Sequence, residues 1–274
     1  MIERVWSFSG GSVRHLERLV RADGAWALRT LPARFAIIEH TDGIVVFDTG
    51  FHPQLRHRLT GPARLYNRVV PWTCPPDQAV GARLDQLGFS PADVQLVVLS
   101  HMHADHVAGL VDLPRRPLAL TRAAWEHLNS GGRIERGRHG FFRELMPDRL
   151  PDTTRWLDPP SPSGRLSEST EDLLGDDSIG AVALPGHAPG QVGLVLQPKA
   201  GPRILLAADA TFSRDAVADG VPPSSAFIRA VFDDRAQTLA TLARLKLWMQ
   251  EEPSLILHCA HGWEGPAEGL IAGG

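Results

Sequence analysis

Residues 97–110, "VVLSHMHADHVAGL", set His101, His103, Asp105 and His106 within six consecutive positions, where a β-branched and aliphatic run ends. Neutral imidazole nitrogen and carboxylate oxygen are zinc donors, usually in near-tetrahedral array. Side chains two apart on an extended segment point the same way, so His101 and His103 can grip one ion together. If the chain then turns into a helix around 104–107, Asp105 and His106 project differently and can serve a second ion close by. Two metals about 3.5–4 Å apart generate a hydroxide and clamp both the attacking and the leaving oxygen of a displacement.

A metal site needs further ligands, and they belong at other strand ends, in loops carried by a rigid scaffold. "LPGHAPGQVG" places His187 in a tight Gly/Pro loop between two strand-like runs. "LLAADATF" places Asp209, and "LILHCAHGWE" places His258 and His261, where hydrophobic strands end. An aspartate after an apolar run is often only a turn-former, but beside the first motif ligation is the sharper reading. His258 is assigned a structural role.

The elements that must position these residues can be read around them. "RFAIIEH" (34–40) and "GIVVFDTG" (43–50) form a hairpin through Thr41-Asp42-Gly43. "DQAVGARLDQLGFSP" (77–91) has helical spacing and stops at Gly88, a fitting C-cap. "VQLVVLS" (94–100) and "RPLALT" (116–121) are strands, and "TRAAWEHLNS" (121–130) is helical. Three strands follow in quick succession at 178–186, 191–198 and 203–209. "DDRAQTLATLARLKLWMQEEP" (233–253) puts Leu239, Leu242, Leu245 and Trp248 or Met249 on one helical face, with Asp233 or Asp234 as its cap. It leads into the strand 254–261, while 131–176 reads as long loops. No linker divides the chain, so we expect one domain over 1–274, its strand-rich halves packed together between helices.

Composition bounds the function. The 274 residues can bury a full core, and 43% hydrophobic with 22% charged residues is ordinary for a globular protein. A net charge of −3 and scattered arginines give no phosphate-binding track, so neither nucleic acid nor a membrane surface is an expected partner. Only Cys74 and Cys259 occur, no run of about 18 apolar residues is present, and the N-terminus lacks an apolar leader core. These features fit a cytoplasmic protein, with Cys259 a small buried hydrophobe. His52, His57 and His139 are expected at the surface. The segments 51–76 (with Trp72) and 131–151 (with Phe141 and Phe142) are arginine-rich and can wall a cleft. They would make an apolar channel with an arginine for a carboxylate or ring oxygen, or else core packing under loops.

Taken together, the residues resemble the metallo-β-lactamase superfamily over nearly the whole chain. Its His-x-His-x-Asp-His motif matches His101, His103, Asp105 and His106, and its Pro-Gly-His-x-Pro-Gly loop matches 185–190 with His187. Asp209 matches the bridging aspartate, His261 matches the terminal histidine better than His258, and Asp48 in "FDTG" matches an aspartate behind the ligands. The resemblance implies an α/β fold, a four-layer αβ/βα sandwich with two divalent metal ions at one edge. Zinc is the expected metal, with iron, manganese or cobalt also accepted by such ligands. His101, His103 and His187 would hold one ion, and Asp105, His106 and His261 the other, with Asp209 between them. Two dications, two carboxylates and a bridging hydroxide leave a site of about +1, suited to a developing oxyanion. The hydroxide would attack a carbonyl, with Asp105 and Asp209 the candidate catalytic carboxylates and Asp209 passing the proton to the leaving group.

Within the superfamily, "HTDGIVVFDTGFHP", "SHMHADHVAGL" and "LLAADATFSRDA" look most like the N-acyl homoserine lactonase branch. Three departures are visible. Phe212 stands where that branch commonly has a tyrosine that polarises the substrate carbonyl, and Tyr66 is the only tyrosine in the chain. "AGL" (108–110) replaces "GGN", and Gln191 replaces a further histidine. The resemblance therefore implies a zinc-dependent hydrolase of a small-molecule ester-like bond, a lactone first, acting as monomer or homodimer. Hydrolysis of a glutathione thioester, of the hydroxyacylglutathione hydrolase type, and of a phosphotriester are the alternatives on the same fold. A redox di-iron protein would show more carboxylate ligands, and a non-catalytic binding protein would show a degraded ligand set.

Overall fold

The chain opens with a strand that its residue alternation does not predict, β1 (Ile2–Leu16). Gly10 and Gly11 interrupt its pattern, and its register with the next strand shifts between Ser9 and Ser12. A side chain at Gly10 would put Cβ 2.7 Å from Gly50 Cα, so the glycine permits two backbones to touch. The computed structural model describes residues 1–130, 132, 136–137, 139–161, 165–166, 169–263 and 268–273.

The expected hairpin is present. Strand β2 (Leu28–His40) starts earlier than the sequence pattern suggests and pairs antiparallel with β3 (Gly43–Phe47) through Thr41 and Asp42. A short β4 (Trp72–Thr73) lies on β1, and β5 (Val94–Val98), β6 (Leu118–Thr121) and β7 (Arg155–Leu157) continue the sheet, each parallel to its neighbour from β3 onward. The second sheet holds β8 (Thr170–Asp172), β9 (Ile179–Ala183), β10 (Val192–Leu196), β11 (Ile204–Leu206) and β12 (Ile256–His258), and β13 (Gly269–Ala272) returns to pair with β1. The sheet orders are β13-β1-β2-β3-β5-β6-β7 and β12-β11-β10-β9-β8. The stretch 131–176, read from sequence as loops, therefore contributes one short strand to each sheet.

Period-two alternation with both faces apolar explains the layering. In β2, β3 and β5, Ile38, Val45, Phe47 and Val98 face the other sheet and meet Ile179, Ala181, Leu194 and Leu206. Phe35, Ile37, Val46 and Val97 face away and pack with Leu55, Leu84, Leu110 and Leu128. The outer face of the second sheet is covered by helices Arg214–Asp219 and Arg235–Glu251, through Val217, Leu245 and Trp248. Cys259 lies in this outer core, as expected of a small hydrophobe. The result is helices, sheet, sheet, helices: the four-layer sandwich.

Helix limits follow their caps. Val80–Gln86 ends before Gly88 (φ 83), Thr121 accepts Ala124 N–H at 3.2 Å to start Arg122–Asn129, and Asp234 caps Arg235–Glu251 at 2.9 Å from Gln237 N. The last helix packs Leu242, Leu245, Trp248 and Met249 on the core as expected, but Thr238 and Thr241 are buried as well and Leu239 is only partly covered. No helix among the described residues is long and apolar enough to cross a membrane.

Candidate metal centre

Strands β3 and β5 are parallel, as are β11 and β12, and β9 runs the same way as β11 because both are antiparallel to β10. Their C-terminal ends therefore emerge at one edge of the sandwich, where α/β folds usually carry their ligands. Asp48 follows β3, the His-x-His-x-Asp-His motif follows β5, His187 follows β9, Asp209 follows β11 and His261 follows β12.

The motif adopts the two-part shape expected of it. His103 has extended φ/ψ (−66, 154) and caps the short helix Ala104–Val107, so His101 and His103 precede the turn and Asp105 and His106 lie in it. His101 Nε2 and His187 Nε2 lie 2.9 and 3.0 Å from His103 Nδ1. His261 Nε2 lies 3.1 Å from Asp105 Oδ2 and 3.2 Å from Asp209 Oδ2, and His106 Nε2 lies 3.3 Å from Asp209 Oδ1. Two groups result, His101/His103/His187/Asp209 and Asp105/His106/Asp209/His261, each with its donor atoms within 4.8 Å of one another. Asp209 is common to both.

What stands behind the ligands sets their tautomers. Asp48, at φ 58, accepts Ser100 N–H at 2.8 Å, Ser100 Oγ–H at 2.7 Å and His106 Nδ1–H at 2.8 Å. Ser100 Oγ in turn accepts His101 Nδ1–H at 2.9 Å. Pro32 O accepts His261 Nδ1–H at 2.7 Å. With those protons placed, Nε2 is the inward-facing nitrogen of His101, His106 and His261.

The donor set fits a pair of divalent cations. His106 Nε2 and Asp209 Oδ1 are buried and, beyond their 3.3 Å contact with each other, have no hydrogen-bond partner among the described residues, a costly state unless something binds them. His103 Nδ1 faces two other ring nitrogens at once, an arrangement one shared proton cannot satisfy. Five imidazoles and two carboxylates are zinc-type donors. Charge is divided unevenly across the centre. Burial keeps His101 and His103 well below the ordinary imidazole range, and His187 at about 4 despite Asp209. Burial also opposes protonation of His106 and His261, but Asp209 outweighs it, with Asp48 and Asp105 helping at His106 and Asp105 at His261. His106 is raised well above its usual range and His261 to about 10.

The His187 loop is held by small residues. At Gly186 (φ 132) a Cβ would fall 2.4 Å from Thr238 N, and at Gly190 (φ 68) one would fall 2.2 Å from Thr121 Oγ1. Thr241 Oγ1 donates to Pro185 O at 2.7 Å, and Asp234 N–H donates to Gly186 O at 2.9 Å. This is why threonines occupy buried positions in the first turns of helix Arg235–Glu251.

The centre opens into a cavity of about 520 Å³. Its wall comes largely from 51–70, with Phe51, Pro62, Ala63, Leu65, Tyr66, Val69 and Val70, and from Phe212, Phe227, Ala230 and Val231. Gly137, His139 and Gly140 are its contribution from 131–151. Phe141, Phe142 and Trp72 are core instead: Phe141 packs on His103 with centroids 4.4 Å apart, and Trp72 stacks on Phe51 at 5.3 Å. Among the described residues no arginine lines the cavity; Arg133 and Arg138 lie outside them.

Phe212 stacks on the His261 imidazole, 5.1 Å between centroids and 8° between planes, so it steadies the ring of a candidate ligand. His258 belongs to neither ligand group, and burial, with Arg34 nearby, holds it at about 3. Gln191 donates to Leu184 O at 3.2 Å inside the loop. His57 and His139 are exposed, but His52 is buried against Asp112 at 3.1 Å. Two wall residues escaped sequence reasoning as site residues. Tyr66 and His15 both line the cavity, and neither side chain has a hydrogen-bond partner among the described residues. The only signal for His15 was its place two residues after Val13 on a strand, which turns both toward the cavity.

The fold and this paired site place the chain in a family: it belongs to the Metallo-beta-lactamase superfamily, whose family model matches residues 31–248. It is 29% identical over 220 residues to the N-acyl homoserine lactonase AttM of Azorhizobium caulinodans, covering 77% of this chain and 78% of that one. It is 23% identical over 270 residues to the N-acyl homoserine lactonase AttM of Rhizobium radiobacter, covering 95% and 94%. In fold it is similar to an N-acyl homoserine lactone hydrolase with the product N-hexanoyl-L-homoserine at its catalytic metal center. That match has a TM-score of 0.74 at 18% identity, covering 96% of this chain and 94% of that one. It is also similar to AidC, a dizinc quorum-quenching lactonase, with a TM-score of 0.60 at 14% identity, covering 97% and 92%.

Proposed function

We propose that this chain, as one domain over 1–274, is a cytoplasmic dinuclear zinc hydrolase that opens the ring of an N-acyl homoserine lactone. The observation that carries this reading is Asp209, shared by two ligand groups at the floor of a largely apolar cavity of about 520 Å³. His101, His103 and His187 would hold one ion, Asp105, His106 and His261 the other, and Asp209 both. When bound, the pair supplies a nucleophile at neutral pH and positive charge opposite the developing oxyanion.

The protein's own residues do the rest. Ser100, Asp48 and Pro32 O fix the imidazole tautomers. Tyr66 offers a neutral hydroxyl to the lactone carbonyl from the wall facing the ligands, a role Phe212 cannot fill. As water adds to the carbonyl carbon and the ring C–O bond breaks, Asp105 and Asp209 carry the water's proton to the leaving alkoxide. The apolar wall takes the acyl chain and excludes water. The absence of arginine from the described lining favours a lactone over a glutathione thioester, whose carboxylates call for cationic partners.

The test is proton release in a pH-stat when zinc-loaded protein meets an N-acyl homoserine lactone, with the His106→Ala/Asp209→Asn double variant as the blank. We expect steady release from the parent and none from the variant. A parent that holds two metals per chain yet gives a flat trace would overturn the lactone reading.

A further inference from the structure

The cavity has a polar floor and an apolar wall, and His15 is among the titratable side chains that line it. His15 lies near the end of β1, half-buried, and its ring meets Phe227 edge-on with centroids 5.6 Å apart at 68°. Phe227 belongs to the apolar wall, yet the same imidazole is within electrostatic reach of His261 and Asp105 on the floor. It is no member of either ligand group. Neither ring nitrogen has a hydrogen-bond partner among the described residues. A neutral imidazole carries one donor and one acceptor on opposite sides of a rigid ring, so a half-buried one with no protein partner can offer both to a ligand in the cavity.

The complementary group would sit a few atoms from the scissile carbonyl, ahead of an aliphatic tail, and would offer an acceptor or a donor in turn. A secondary amide on the carbon next to the lactone carbonyl has that description. We propose that His15 is a specificity-determining residue that hydrogen-bonds the acyl amide of the substrate, and so distinguishes N-acylated lactones from alkyl lactones. This rests on the lactone-opening reading above. His15 takes no part in bond making or breaking; it contributes binding to a part of the substrate that does not react.

The test compares two substrates with the same ring and the same point of attachment: N-decanoyl homoserine lactone and an α-alkyl-γ-butyrolactone of matching chain length without the amide. In the zinc-loaded protein, His15→Phe should lower kcat/KM for the amide substrate about tenfold, the worth of one neutral hydrogen bond, mainly through KM. The alkyl lactone should change by less than about twofold, since it offers no amide for the ring to bond and phenylalanine keeps the aromatic contact with Phe227. His15→Gln keeps a donor and an acceptor and should recover most of the loss. An equal fall on both substrates, or none on either, would overturn the assignment of His15 while leaving the lactonase intact. A parent that opens only the alkyl lactone would do the same. A parent that opens neither would remove the lactone reading and this inference with it.

Discussion

Asp48 reaches no ion itself, yet three donors converge on its carboxylate, two from Ser100 and one from His106. An amide cannot accept from all three, because its NH2 would face a donor. Asp48→Asn should therefore release the His106 ring and weaken one of the two metal sites by about 10–100-fold, as losses behind metal ligands do. Competition against a chromophoric chelator would show one tight and one weakened site; two unchanged sites would refute the role. At this scale the candidate site was legible in the sequence, because His101 to His106 form one local word and His187 another. Asp48 was reached through family resemblance rather than spacing. His15 and Tyr66 were illegible as site residues, since their meaning depends on what β1 and the segment 61–70 face across space.

Among the elements, the loop carrying His187 depends on glycines more than on any side-chain contact. Gly186 combines φ 132 with a Cβ position 2.4 Å from Thr238 N. A methyl group there must either strain the backbone or push the loop from the helix. Gly186→Ala should cost about 2–4 kcal/mol of stability, judged from strain plus overpacking, and should lower the metal content by loosening His187. Urea unfolding of the metal-free variant beside metal analysis of the loaded one checks both effects; an unchanged midpoint would sink the argument. The adjoining helix follows its leucine spacing at Leu242, Leu245, Trp248 and Met249, which pack on the outer core. Its first turns depart from that spacing, because Thr238 and Thr241 turn inward and Thr241 holds Pro185 O. The hairpin, β5, β6 and β9 to β11 were legible because their runs are apolar and bounded by turn residues. Strand β1 was not, because Gly10 and Gly11 break its pattern, and β4, β7, β8 and β13 are too short to carry one.

For the whole molecule, metal, protons and stability are linked. His106 is raised well above its usual range and His261 to about 10 in the metal-free protein. A histidine raised on folding contributes stability that is full below about pH 6.5, its unfolded value, and is lost as pH climbs through the folded one. The buried His101, His103 and His187 are lowered, so they are neutral in both states above pH 7 and add no slope there. The melting temperature of the metal-free protein should thus fall from pH 7 toward pH 10. The zinc-loaded protein has given those protons up and should not share the fall. The gap between the two melting curves should therefore widen with pH; a constant gap would show that His106 and His261 are not protonated before loading. At this scale the paired halves between helices were legible from alternation, whereas the strand order was not, since nothing local brings β13 back to β1.

The centre also straddles the seam between the two sheets. The first sheet presents His101, His103, Asp105 and His106, and the second presents His187, Asp209 and His261. Neither half holds a complete ligand group. A break in the chain between β7 and β8 would leave two fragments, each with only part of either group, so a pair of ions would act as mortar between them. Bound metal would then add to the shared apolar core and the β1–β13 pairing in holding the two halves together.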